Sequence, residues 1–289
     1  HPDYKTYIAE LRALRAVYYY YAMDFYAQVP IVTSSQQSTN DVKQSNRSDV
    51  FKFVTLELDA TLPELGTGHC QNTGEYYGRV TKAVAYMCLA KCAINAPVFT
   101  IDNTSVDSYK MFVGDDMSKE AKASETLGEA VSAKGKTIMI TVDGKERNCW
   151  ETVKYCVDQL QALGYSLQPK YADNFIKANE TSVENIFVRP NDDKTYKITD
   201  NNLVRSLHYN HASAIGYSGW NGACASVRAM KVMGYGTANE DPRLRINYWC
   251  DRDFEKEQNT GTLNDGATTK PLEYEPLAAL IDFGVTADP

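Results

Sequence analysis

No apolar run in these 289 residues approaches the roughly 20 that a membrane-spanning helix needs. Lysine and arginine form no run of five, and the net charge of -7 supplies no basic field for phosphate, which argues against nucleic acid. The Gly-x-Ser-x-Gly elbow, the P-loop and the dinucleotide glycine fingerprint are all absent, and Gly216-Tyr-Ser-Gly219 falls short of the first. There is no Cys-x2-Cys and no His-Glu-x2-His. His208 and His211 with Cys224 therefore lack a fourth zinc ligand at a sensible spacing. The acidic stretch Asp251–Glu257 lacks the sixth-position glycine and the twelfth-position glutamate of a calcium loop. Glycoside hydrolysis needs two carboxylates across one bond. Asp115-Asp116 and Asp192-Asp193 are merely adjacent in loops, where neighbours on an extended chain point apart. The expectation is a protein that is not an enzyme and holds no metal or cofactor.

Phenylalanine and tryptophan are sparse, nine and three, whereas tyrosine is abundant at twenty. Tyrosine rings can both stack and hydrogen-bond, which suits helix packing and suits a sugar-binding surface. The densest run is Glu10–Thr33. There Leu11, Leu14, Tyr18, Tyr21 and Phe25 recur at spacings of three and four, so they share one stripe of an amphipathic helix. Tyr18 to Tyr21 surround that helix with rings, which predicts packing on several of its sides, and Pro30 ends it. The seven cysteines cannot all pair within the chain and read mostly as buried thiols acting as small apolar groups.

Helices are expected at 4–27, 47–62, 76–95 and 148–163, arranged as two antiparallel hairpins. Asn46 or Ser48 caps the second, and the fourth carries Trp150, Val153, Val157 and Leu160 on its stripe before Gly164 stops it. Residues 97–147 read as an inserted loop containing a strand and an Asp143-Gly144 turn. The helical region thus covers 1–165, and 166–289 is an irregular, partly β lobe of the same domain. In that lobe Val183–Arg189 and Leu244–Trp249 read as strands, and Ala223–Met233 as a short helix.

The segment most suited to a ligand is Leu207–Gly222. Its rings Tyr209, Tyr217 and Trp220 alternate with His208, Asn210, His211 and Asn221, and with glycines at 216, 219 and 222. A ring covers the apolar face of a sugar while an amide reads its hydroxyls, so Trp220, Tyr217, Asn221, Tyr209 and His211 are the candidate ligand-binding residues. The same Trp220 and Tyr217 also suit a packed turn, and the sequence leaves the two readings open. His208 reads as packed.

Arg12-Ala-Leu-Arg-Ala followed by tyrosines, then Asp24-Phe-Tyr and Val29-Pro-Ile-Val-Thr, resembles the SusD/RagB glycan-binding lipoproteins of the outer membrane of Bacteroidota. Gly78–Asn95 and Glu184-Asn-Ile-Phe187 resemble them too, and Gly219-Trp-Asn-Gly222 and Glu240–Leu244 more weakly. The resemblance implies a mainly α fold of tetratricopeptide-like hairpins. It implies glycan binding without catalysis, and delivery to a SusC-like TonB-dependent transporter on the extracellular face of the outer membrane. The opening His1-Pro2 carries no signal peptide and alone would suggest the cytoplasm. By the resemblance, the chain is instead part of a longer lipoprotein, without the lipidated N-terminal region and the C-terminal block. The alternative from another class is a helical scaffold that binds a protein or peptide.

Overall fold

The computed structural model describes residues 4–70, 74–102, 120–175, 179–190 and 225–248. They belong to two compact units, 1–190 and 191–289. The first unit is mainly helical. Its α1 (Tyr4–Tyr26) packs on α2 (Arg47–Thr61), which packs on α3 (Lys82–Phe99). Next come α4 (Glu120–Gly135), a hairpin of β1 (Met139–Val142) and β2 (Lys145–Asn148), and α5 (Cys149–Ala162) against α3. The α1–α2 pair is antiparallel: Arg12 and Arg15 meet Glu57, whereas Tyr19, further along α1, meets the earlier Phe53.

The expected stripe of α1 exists, but it does not face the core. The buried row is Ala9, Ala13, Ala16, Val17, Tyr20 and Met23 on the opposite face. Three alanines in that row let α1 lie close to its neighbours, and the tyrosine-rich face is left outward. Packing of α1 on several sides is therefore corrected. In α2 the expected Val50, Phe51, Val54 and Leu58 are buried while Leu56 is exposed, and Asn46 occupies the cap without a side-chain bond.

Helix α3 begins later and ends later than 76–95. Residues 76–79 form a turn whose ring, Tyr76, lies against Gly66 and Gly68, where an added Cβ would fall within 2.2 Å of it. At the other end Pro97 sits in the last turn, and the Thr100 N–H and Oγ1 both donate to the Ala96 carbonyl, so the helix closes after the proline. The inserted stretch 97–147 contains α4 as well as the expected strand. Asp143 and Gly144, both at positive φ, form the tip that returns the chain as β2.

Asn148 and Glu151 form a reciprocal capping box that starts α5, and Gly164 at φ +90° follows its end. Its fully buried residues are Cys149, Thr152 and Cys156; of the expected stripe, Trp150, Val153 and Leu160 pack partly buried against the core, while Val157 is exposed. Trp150 also turns toward α4, its Nε1 donating to the Ser132 carbonyl at 2.9 Å and its ring lying on Gly135.

The expected strand at Val183–Arg189 is irregular. Ser182 Oγ donates to Asn174 Oδ1, and Glu184 accepts from the Gln168 N–H and the Asn174 amide. Those bonds hold it as a looped segment, with the Asn185 carbonyl accepting from the Cys70 thiol. Cys70, Cys88, Cys92, Cys149 and Cys156 are buried free thiols, as expected. Burial pushes Cys149 up to about 11 and Cys156 up to about 12, so neither is a ready nucleophile.

In the second unit, Ser226 caps α6 (Val227–Val232), and α7 (Leu244–Asn247) is a single helical turn. Met230 and Leu244 pack together there with Met233 and Tyr235. The expected strand at 244–249 is thus corrected. The Leu244 N–H donates to the Asp241 carbonyl, which starts a helical turn after the Asp-Pro step.

Candidate functional site

All five sequence-derived candidates, Tyr209, His211, Tyr217, Trp220 and Asn221, lie outside the described residues. Among the described residues, the feature best suited to a ligand is the outward face of α1. Leu11 and Tyr18 are each 67% exposed, Phe25 73% and Tyr26 75%. A shallow cleft of about 410 Å3 lies along it, lined by Leu11, Leu14, Arg15, Tyr18, Tyr19 and Ala22. Tyr21 stacks on Phe25 with ring centres 6.4 Å apart, so the C-terminal half of the helix presents a continuous ring surface.

The groups around the cleft fix its electrostatics. Glu57 on α2 accepts from Arg12 Nη2 at 2.7 Å and from Arg15 Nη2 at 2.6 Å. The hydrogen bond from Arg12 chiefly, with that from Arg15, holds the Glu57 carboxyl below its ordinary range, against the opposing effect of burial. Glu57 is therefore a fixed anion, unsuited to act as a proton donor near neutral pH. The Arg15 guanidinium also lies 5.7 Å from the Phe53 ring centre, which in turn meets Tyr19 edge-on at 5.0 Å. The Tyr19 hydroxyl both accepts from the Val32 N–H at 2.7 Å and donates to the Val32 carbonyl at 3.2 Å. That pair of hydrogen bonds ties the polar loop, with exposed Ser34, Ser35, Gln36 and Gln37, to the same helix.

The pairing has a consequence in acid. A depressed carboxyl contributes stability that is fully present above the unfolded value of about 4.3 and is lost as pH falls through the lower folded value. Glu57→Gln should therefore flatten the acid limb. Thermal melts between about pH 6 and 3 should show a smaller fall in Tm for the variant than for the parent. An equal fall in both would show that the ion pair contributes nothing.

Chemically, this surface offers rings, a shallow apolar groove and an ion-paired arginine. Among the described residues, no group of three or more His, Cys, Asp or Glu side chains is placed to hold a metal ion. Also among them, no helix is long and apolar enough to cross a membrane.

No family model matches the chain, and no curated protein matches it. Among solved structures, one from Bacteroides fragilis aligns at a TM-score of 0.49 and 17% identity, over 78% of this chain and 34% of its own. The chain is similar to that SusD-like protein. Surface glycan-binding protein A from Bacteroides uniformis aligns at a TM-score of 0.36 and 19% identity, over 63% of this chain and 30% of its own. The chain thus spans about a third of the length of the SusD-like protein and of the glycan-binding protein that it matches.

Sequence reading did find the Tyr18, Tyr21 and Phe25 row but assigned it to packing. The signal that separates the faces is the alanine row at 9, 13 and 16 with Val17, Tyr20 and Met23, half a turn away. Small residues mark the close helix contact, which leaves the large rings for the other side.

Proposed function

We propose that this protein captures an oligosaccharide or polysaccharide at the outer face of the outer membrane, breaks none of its bonds, and delivers it to a SusC-like TonB-dependent transporter. The observation that carries the reading is the alternation of rings with amide and imidazole side chains in 207–222, which supplies the contact set that a sugar needs. The SusD/RagB-like wording of 10–33 supports the class. Trp220 and Tyr217 would cover the sugar face, with Asn221, Tyr209 and His211 reading its hydroxyls. Membrane attachment would come through a lipidated cysteine in a longer form of the chain.

Native affinity electrophoresis through a panel of polysaccharides tests this. Retardation by at least one polymer, without release of shorter products, is the expected result. Trp220→Ala should weaken that binding at least about fivefold, since a stacked ring is worth about 1 kcal/mol beyond its buried area. Unchanged retardation in a folded Trp220→Ala protein would remove the site from 207–222.

The second reading, a helical scaffold for a protein partner, is favoured by one specific observation. The exposed row of α1 follows the seven-residue spacing by which helices pair.

A further inference from the structure

We propose that the outward face of α1 is a homodimer interface, with two copies of the chain pairing antiparallel along it. Positions 4, 8, 11, 15, 18, 22 and 25 alternate steps of four and three, a helix-pairing seam three heptads long. Tyr7, Leu14 and Tyr21 lie beside it at one constant heptad position and widen it. The opposite face is already used against α2 and α3, and on the seam Tyr4, Ile8, Leu11, Tyr18 and Phe25 stay exposed.

The size of the face matches what a stable dimer needs. Six exposed rings on α1, averaging about 60% exposed, plus Ile8 and Leu11, present about 900 Å2 if an aromatic side chain carries about 150–250 Å2. That is comparable to the roughly 800 Å2 per partner of a stable interface, and exceeds the roughly 300–600 Å2 of the largest apolar patch on an ordinary monomer.

The occupant is a second copy because the seam is complementary to itself. With the twofold axis between Leu14 and Arg15, Tyr4 falls opposite Phe25, Leu11 opposite Tyr18, and the large Tyr7 opposite the small Ala22. The sole charge at a seam position is Arg15, which pairs with Glu57 at 2.6 Å. Glu57 also holds Arg12, so each copy brings one excess positive charge near the axis, partly screened by solvent at the rim, and the rings rather than charge carry the association. The inference does not depend on a glycan site at 207–222.

Sedimentation equilibrium of the full 289-residue chain tests it. The expected mass is twice 32.3 kDa at about 50 µM, and Leu11→Glu with Tyr18→Glu should weaken association at least 100-fold. Both side chains are largely exposed, so the circular dichroism and Tm of the dilute variant should match the parent's. Tyr18→Phe, and Leu167→Glu at an exposed loop residue that is not part of α1, should remain dimeric. A parent that stays monomeric at about 50 µM would overturn the proposal, as would a double variant that still dimerises. A monomeric parent whose polysaccharide retardation is lost in the double variant would give the face to the glycan instead. Loss of retardation in Trp220→Ala, with the dimer intact, leaves the proposal standing and reports only on the glycan site.

Discussion

Ala13→Leu should cost about 3 kcal/mol of stability, whereas Leu11→Ala, two residues away and the same change in apolar volume with the opposite sign, should stay within about 0.5 kcal/mol. Ala13 is fully buried in the row that faces the core, and the same cluster holds Val54, Leu58 and Leu89. Its methyl is all the space allows, so three more carbons must push α1 away from its neighbours or force side chains out of their rotamers. Leu11 is mostly in water already, and alanine is the better helix former. Urea denaturation below about 1 µM, where association plays no part, measures both. A reversed order of the two effects would mean that the tyrosine-rich face is the buried one, and the homodimer interface would fall with it.

The helical frame was legible because its signals are local. Pro30 and Gly164 mark ends, Asp143-Gly144 marks a turn, and spacings of three and four mark α1, α2 and α5 within one or two residues. Which face of each helix turns inward was less legible, because that is decided by neighbours. On α1 both faces are apolar, one small and one large, so hydrophobicity alone does not choose between them. On α5 a stripe through Trp150 looked more apolar than Cys149, Thr152 and Cys156. The Trp150 indole N–H nevertheless needs an acceptor, and it finds Ser132 of α4, a helix that the sequence did not announce. The two mistaken strands fail for a related reason. Val183–Arg189 has strand-like residues, but Ser182, Glu184 and Asn185 commit its polar groups to loop contacts. The ring-and-amide set at 207–222 rests on sequence alone, whereas the exposed rings of α1 became visible only when burial was known.

Asp143→Ala should lower stability by about 3 kcal/mol, the second large effect expected. A single carboxylate oxygen, Asp143 Oδ2, accepts from the Tyr86 hydroxyl at 2.8 Å and from the Tyr155 hydroxyl at 2.7 Å. These bonds pin the hairpin tip to α3 and α5 together, and the Asp143 N–H donates to Asp59 Oδ1 on α2 at 2.8 Å. Three helices therefore converge on one residue. Burial, then the bond to Asp143, pushes the Tyr86 hydroxyl far up its scale, so it stays a donor at any ordinary pH. Alanine would leave that buried donor without its acceptor, and a donor stranded in this way costs about 1–3 kcal/mol. Alanine is also strained at the left-handed φ of +52°, by about 1 kcal/mol. One effect runs the other way: Asp59 is raised by burial and by the nearby Asp143 charge, and removing that charge relieves it. Asp143→Asn separates these contributions, because asparagine tolerates the backbone angle and keeps an acceptor oxygen. Its cost should be about 1 kcal/mol. Tyr86→Phe, which removes the donor together with its need, should fall between the two. If Asp143→Ala were no worse than Asp143→Asn, neither the orphaned hydroxyl nor the backbone strain would matter, and the hairpin would be held by Ile140 and Val142 in the core instead.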